Sequence, residues 1–101
     1  DKITRETIRR IKSETDYTLE PHGAIGWLAA EAWRESHPEA HTVVLETAHP
    51  SKFLDVMEEE LGAGEVEIPG RLACLADRQK SAIQMGTKEG EFHDWLSSIR
   101  E

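Results

Sequence analysis

The chain has 101 residues, with 12 Lys and Arg against 20 Asp and Glu, a formal charge of −8, and 38% hydrophobic against 32% charged residues. A chain of this length buries only about two-thirds of the surface that its unfolded form exposes, so it holds one core and no second domain. An acidic chain without a block of basic and aromatic residues is not expected to bind nucleic acid. Its longest apolar stretch, Ala24 to Ala30, falls far short of the roughly 20 residues that cross a bilayer, so no membrane span is expected.

The first residues are charged and amphipathic and lack the apolar core and cleavage site of a secretory signal, so a reducing, cytoplasmic setting is expected. Cys74 is the single cysteine, with no partner for an intramolecular disulfide or a cysteine-based zinc cluster, and is read as a small buried hydrophobe. The chain begins at Asp1 rather than at a methionine, which fits a piece of a longer product.

In chain order, Ile8 and Ile11, with Ile3 and Thr7 before them, predict an amphipathic helix from about Lys2 to Glu14. Pro21 suits the first turn of a second helix, and Glu20 before it favours the positive end of the dipole. In that helix Ile25, Leu28, Ala29, Ala32 and Trp33 form one stripe, and Ala24, Trp27 and Ala30 widen it beyond one face. Such a helix needs cover on more than one side, and self-association of the chain is expected if none is supplied. Pro38 closes the region. Thr42-Val43-Val44-Leu45 is apolar without alternation and predicts a short strand covered on both faces. Pro50 and Ser51 open a third helix with Phe53, Leu54, Met57 and Leu61 on one face and Gly62 at its end. Pro69 starts a short helical turn carrying Leu72 and Leu75, Ser81 to Met85 reads as a second strand, and Thr87 caps a last helix bearing Phe92, Trp95, Leu96 and Ile99.

Two helix mouths hold the polar residues of interest. Gly23 and Gly26 cost about 1 kcal/mol each relative to alanine inside a helix, so something approaches there closely, by helix-on-strand packing or by ligand contact. At Glu46-Thr47-Ala48-His49-Pro50-Ser51, polar side chains gather between the expected strand and the third helix, where α/β folds place ligands. The competing reading is local: Thr47 and Ser51 cap the helix, and His49 satisfies a backbone carbonyl. His37-Pro38-Glu39-Ala40-His41 is not a zinc helix, because the glutamate is out of register and Pro38 breaks the helix. It reads as a solvated turn, and Asp55 with Glu58 to Glu60 as a solvated helix face. No metal site is expected.

At the two mouths, Tyr17-Thr18-Leu19-Glu20-Pro21-His22-Gly23-Ala24-Ile25-Gly26 and Val43-Val44-Leu45-Glu46-Thr47-Ala48-His49-Pro50-Ser51-Lys52-Phe53, the chain resembles threonine synthase. This is a pyridoxal-phosphate enzyme family of the tryptophan-synthase-like fold (fold type II). Both motifs stand in the order and spacing the family shows near its C-terminus, and the tail from Leu72 to Ile99 also resembles the family's ending. Glu20 stands where aspartate is also common. The resemblance implies an α/β fold class, here a small fragment of the fold type II large domain with about four helices around a short partial sheet. It implies conversion of O-phospho-L-homoserine and water to L-threonine and phosphate with pyridoxal phosphate. It also implies that Thr47 faces the pyridine nitrogen, that Glu20 and His22 lie near the cofactor, and that His49 borders the same wall. The Schiff-base lysine and most phosphate-binding residues of the family belong to an N-terminal remainder, so residues 1–101 carry no catalytic residue and complete a site with that remainder. Lys52 matches the lysine of the family's T-A-H-P-x-K-F stretch, not the Schiff-base position. The alternative is a stand-alone α/β interaction or regulatory domain without a cofactor.

Overall fold

Helix α1 spans Lys2–Thr15 in the computed structural model, which describes residues 2–99 and leaves Asp1 outside. It buries Thr4, Thr7, Ile8 and Ile11, whereas Ile3, expected on that stripe, is exposed. Thr7 can enter the core because its hydroxyl donates to the Ile3 carbonyl at 2.9 Å, so no polar group is left unpaired. Helix α2, Pro21–Ser36, starts with its proline where the missing N–H is no loss. A 3-10 turn at Pro50–Phe53 leads into α3, Leu54–Leu61, which stops at Gly62 with φ +106°, a conformation that glycine adopts without strain. Helix α4 is one turn, Gly70–Ala73, and α5 spans Glu89–Ser98.

Helix α1 packs on both α2 and α3. The core is Ile8, Ile11, Leu19, Ala24, Met57 and Val66, with Trp27, Phe53, Leu54 and Leu61 at its margin. The α1–α3 seam is also ionic: Arg5 donates to Glu59 at 2.8 Å and to Glu60 at 2.6 Å, and Arg9 also pairs with Glu60. Glu60, whose side chain is only 7% exposed, therefore does not belong to the solvated face expected of Asp55 and Glu58 to Glu60. Between two guanidinium groups it orients α3 on α1.

The expected α/β class with a partial sheet is overturned: the regular elements among the described residues are all helical. Thr42 to Leu45 forms no ladder, and it is covered on one face, not two. Val44 lies against α2, where a Cβ on Gly26 would stand 3.1 Å from its Cγ1, while Val43 and Leu45 are 84% and 79% exposed. Ser81 to Met85 is likewise irregular and exposed. β-branched composition favours extended backbone, but a strand exists only as half of a pair, and neither run finds the other. Two smaller expectations also fail. Lys88, not Thr87, occupies the N-cap of α5, without a side-chain cap bond, and Cys74 is exposed, its thiol donating to the Arg71 carbonyl at 3.2 Å.

The radius of gyration is 18.7 Å, against about 13 Å for a compact chain of 100 residues. The excess arises after Gly70, where α4 and α5 bury no residue and Phe92 and Leu96 of α5, with Ile99 at its C-cap, are exposed. Ile25 and Trp33 of α2 are exposed as well. A chain with this much open apolar surface is expected to self-associate and to raise the fluorescence of a hydrophobic dye. Light scattering that gives a monodisperse monomer, together with a silent dye, would count against that expectation.

Candidate functional site

The mouth of α2 is built on Glu20. Its backbone is extended (φ −85°, ψ 167°), and its carboxylate turns back to accept from the His22 and Gly23 N–H groups, each at 2.9 Å. Glutamate thus serves as the N-cap, a role that a shorter acceptor more often fills and that is worth about 0.5–2 kcal/mol. Glu20 is 0% exposed, and its Oε2 also accepts from the His22 ring Nδ1 at 2.7 Å. An ionised carboxylate only accepts, so Nδ1 carries the proton and the exposed imidazole is held by that edge. The ring's other flank meets Phe53 at 5.3 Å between centroids.

Burial alone would push the Glu20 carboxyl up, but the hydrogen bonds from the His22 backbone, the His22 ring and the Gly23 backbone outweigh it and hold the pKa below the ordinary carboxylate value. A lowered folded-state pKa adds stability that is fully present above the unfolded-state value and is lost as the pH falls through the folded-state value. The urea midpoint of Glu20→Gln is therefore expected to lie below that of the parent at pH 7, with the gap closing as the pH drops below about 4. A gap that stays constant from pH 7 to pH 3 would show that ionised Glu20 adds nothing.

The second mouth opens onto a groove of about 660 Å³ lined by Tyr17, Glu46, Thr47, His49, Lys52 and Glu65 among others. His49 is the N-cap of the 3-10 turn: its Nδ1 accepts from the Ser51 N–H at 3.1 Å and contacts the Ser51 hydroxyl at 2.8 Å. The local reading of this segment is thereby altered, since His49, rather than Thr47 or Ser51, caps the turn and it does so as an acceptor. With Nδ1 accepting, the neutral ring carries its proton on Nε2. Thr47 is exposed on the groove wall, and its hydroxyl makes no hydrogen bond among the described residues. His37, in the turn set aside as a zinc site, caps α2 through its N–H to the Arg34 carbonyl at 3.1 Å and stacks on Trp33 at 4.0 Å.

The four residues singled out from the sequence thus fall into two pairs. Thr47 and His49 share the groove, whereas Glu20 and His22 share the α2 mouth and do not line it. What joins the pairs is Glu46, which carried no weight in the sequence reading. Its Oε1 accepts from the Glu20 N–H at 2.8 Å and its Oε2 from the Tyr17 hydroxyl at 2.9 Å. The signal that could have found it is the pair Gly23 and Gly26, three residues apart on α2. Glu46 and Val44, two apart in the segment before the 3-10 turn, fill the spaces that these glycines leave.

The groove is open and carries the Thr47 hydroxyl on its wall, and no cluster of three or more potential metal ligands lies among the described residues. The family model for the C-terminal part of threonine synthase matches residues 23–94. The threonine synthase of Escherichia coli (strain K12) is 38% identical over 77 residues, which cover 76% of this chain and 17% of that protein. The threonine synthase of Pseudomonas aeruginosa is 38% identical over 98 residues, covering 96% of this chain and 20% of the relative. That of Serratia marcescens is 32% identical over 100 residues, or 98% of this chain and 22% of the relative. No solved structure matches the chain. The chain belongs to the threonine synthase C-terminal family, and it spans about a fifth of the length of these relatives. No helix among the described residues is long and apolar enough to cross a membrane.

Proposed function

We propose that this chain forms one wall of the active site of a cytoplasmic threonine synthase, which converts O-phospho-L-homoserine and water to L-threonine and phosphate with pyridoxal phosphate. The observation that carries the reading is Thr47: in a chain of this family, a neutral hydroxyl without a protein partner faces an open groove at a helix start. The residues fit the ring edge of the cofactor and not its phosphate. Thr47 offers a hydroxyl that can donate to a pyridine nitrogen, and His49 offers Nε2–H beside it. Glu46, Glu65 and Glu67 make the groove a poor seat for a phosphate group, with Lys52 the cation among its lining residues.

When bound, the cofactor supplies the electron sink that stabilises carbanions. The chain's own residues orient it. Thr47 would hold the ring nitrogen through a neutral contact, His49 would border the same edge, and Glu20 would fix the His22 ring so that its Nε2 faces away from the helix mouth. Burying the exposed Phe92 and Leu96 of α5 and the exposed Val43 and Leu45 falls to the N-terminal remainder of the enzyme, which would also bring the lysine that carries the cofactor and the residues that hold its phosphate.

Borohydride reduction in the presence of pyridoxal phosphate, followed by peptide mapping, tests this division of labour. The intact enzyme is expected to label one lysine stoichiometrically outside residues 1–101, and the chain by itself only sparsely at surface lysines. Stoichiometric labelling of a single lysine within the chain would overturn the reading.

A further inference from the structure

The segment that carries Thr47 has no ladder to set its direction, since Thr42 to Thr47 is irregular backbone. Two side chains pin it to α2. Val44 rests over Gly26, and Glu46 rests over Gly23, where an added Cβ would stand 2.9 Å from Glu46 Cγ and Cδ and would collide with the carboxylate. The half-buried carboxylate also takes both the Glu20 N–H and the Tyr17 hydroxyl, which together hold the chain entering α2. The Tyr17 phenol is accordingly held above its usual pKa, first by its hydrogen bond to Glu46 and then by that residue's negative charge. Exposure alternates along this segment, with Val44 and Glu46 half-buried and Val43, Leu45 and Thr47 exposed, so anchoring Glu46 on α2 leaves Thr47 on the open side, in the groove wall.

We propose that Glu46 is a positioning residue of the site: it clamps the entry of α2 to the Thr47 segment and so fixes where the Thr47 hydroxyl points. The proposal rests on Thr47 being the residue that faces the cofactor ring. Glutamine can keep the clamp, with its amide oxygen accepting from Glu20 and its NH2 donating to the Tyr17 oxygen, whereas alanine cannot. Gly23→Ala attacks the same contact from the other side, because its methyl group displaces the carboxylate.

The test uses the intact enzyme with Glu46→Ala, Glu46→Gln, Gly23→Ala and the Gly23→Ala/Glu46→Ala double variant, and with Thr47→Val as reference. Hydrogen exchange of the Glu20 amide, which donates to Glu46, is read without cofactor, and kcat, KM and the circular dichroism of bound pyridoxal phosphate with it. Glu46→Ala is expected to speed exchange about tenfold and to lower kcat about tenfold with little change in KM, and Glu46→Gln to stay near the parent. Gly23→Ala is expected to resemble Glu46→Ala and to add nothing in its background, since the atoms it would strike are gone. Parental exchange in Glu46→Ala, or independent and additive effects at positions 23 and 46, would overturn the clamp. Faster exchange with parental kcat and cofactor signal, while Thr47→Val alters both, would reduce Glu46 to a structural residue and overturn the positioning role. If Thr47→Val leaves the cofactor signal unchanged, the ring-facing reading fails by itself, and the exchange data still judge the clamp.

Discussion

Replacing Thr47 by valine in the intact enzyme is expected to slow turnover by about ten- to a hundredfold while leaving folding nearly unchanged. The side chain is exposed on the groove wall and bonded to no described residue, so the fold loses nothing when the hydroxyl goes. Valine keeps the branched shape and the preference for extended backbone. What would disappear is the proposed contact to the ring nitrogen, and a buried partner left unpaired costs about 1–3 kcal/mol. Each 1.36 kcal/mol is about tenfold in rate. Thr47→Ser keeps the hydroxyl and is expected to retain most of the activity. An unchanged turnover and cofactor spectrum, combined with a lower thermal midpoint, would make Thr47 a structural residue.

Met57→Ala is expected to show the opposite pattern, a large loss of stability of about 2–5 kcal/mol. Met57 is fully buried on α3, among Ile8 and Ile11 of α1, Leu19, Ala24 of α2 and Val66. Six residues make a small core, and folded domains have only about 5–15 kcal/mol to lose. Truncating its central side chain leaves a cavity that the helices cannot close without giving up the Arg5–Glu60 and Arg9–Glu60 pairs across the α1–α3 seam. Met57→Leu conserves volume and is expected to cost less than about 1.5 kcal/mol. Urea denaturation of the three proteins checks the order, and equal midpoints for the alanine and leucine variants would contradict the assigned core.

Helices were legible because their signals are local. The spacing of Ile8 and Ile11, Pro21 at the start of α2, the face of Phe53, Leu54, Met57 and Leu61, and Gly62 after α3 each act within a few residues, and the structure follows them. The two strands were not legible in the same sense. Val43, Val44 and Leu45 favour an extended backbone, but a strand depends on pairing with a second segment that local sequence does not specify, and none forms. Cys74 was assigned to the interior on residue type, in a region beyond Gly70 that has no interior to offer. At the site, the sequence picked out Glu20 for its place before Pro21 but not its buried capping carboxylate, which follows from the turn of the backbone and not from composition. Glu46 was invisible for a related reason: its partners, the Glu20 N–H and the Tyr17 hydroxyl, lie 26 and 29 residues away.

The measurement that bears most directly on the proposed activity is phosphate release from O-phospho-L-homoserine by the intact enzyme that contains this chain, with L-threonine quantified in the same reaction. Equal amounts of phosphate and L-threonine, formed only when pyridoxal phosphate is present and not by residues 1–101 alone, are the expected result. Phosphate release without L-threonine, release that does not depend on the cofactor, or no release by the cofactor-loaded enzyme would contradict the assignment.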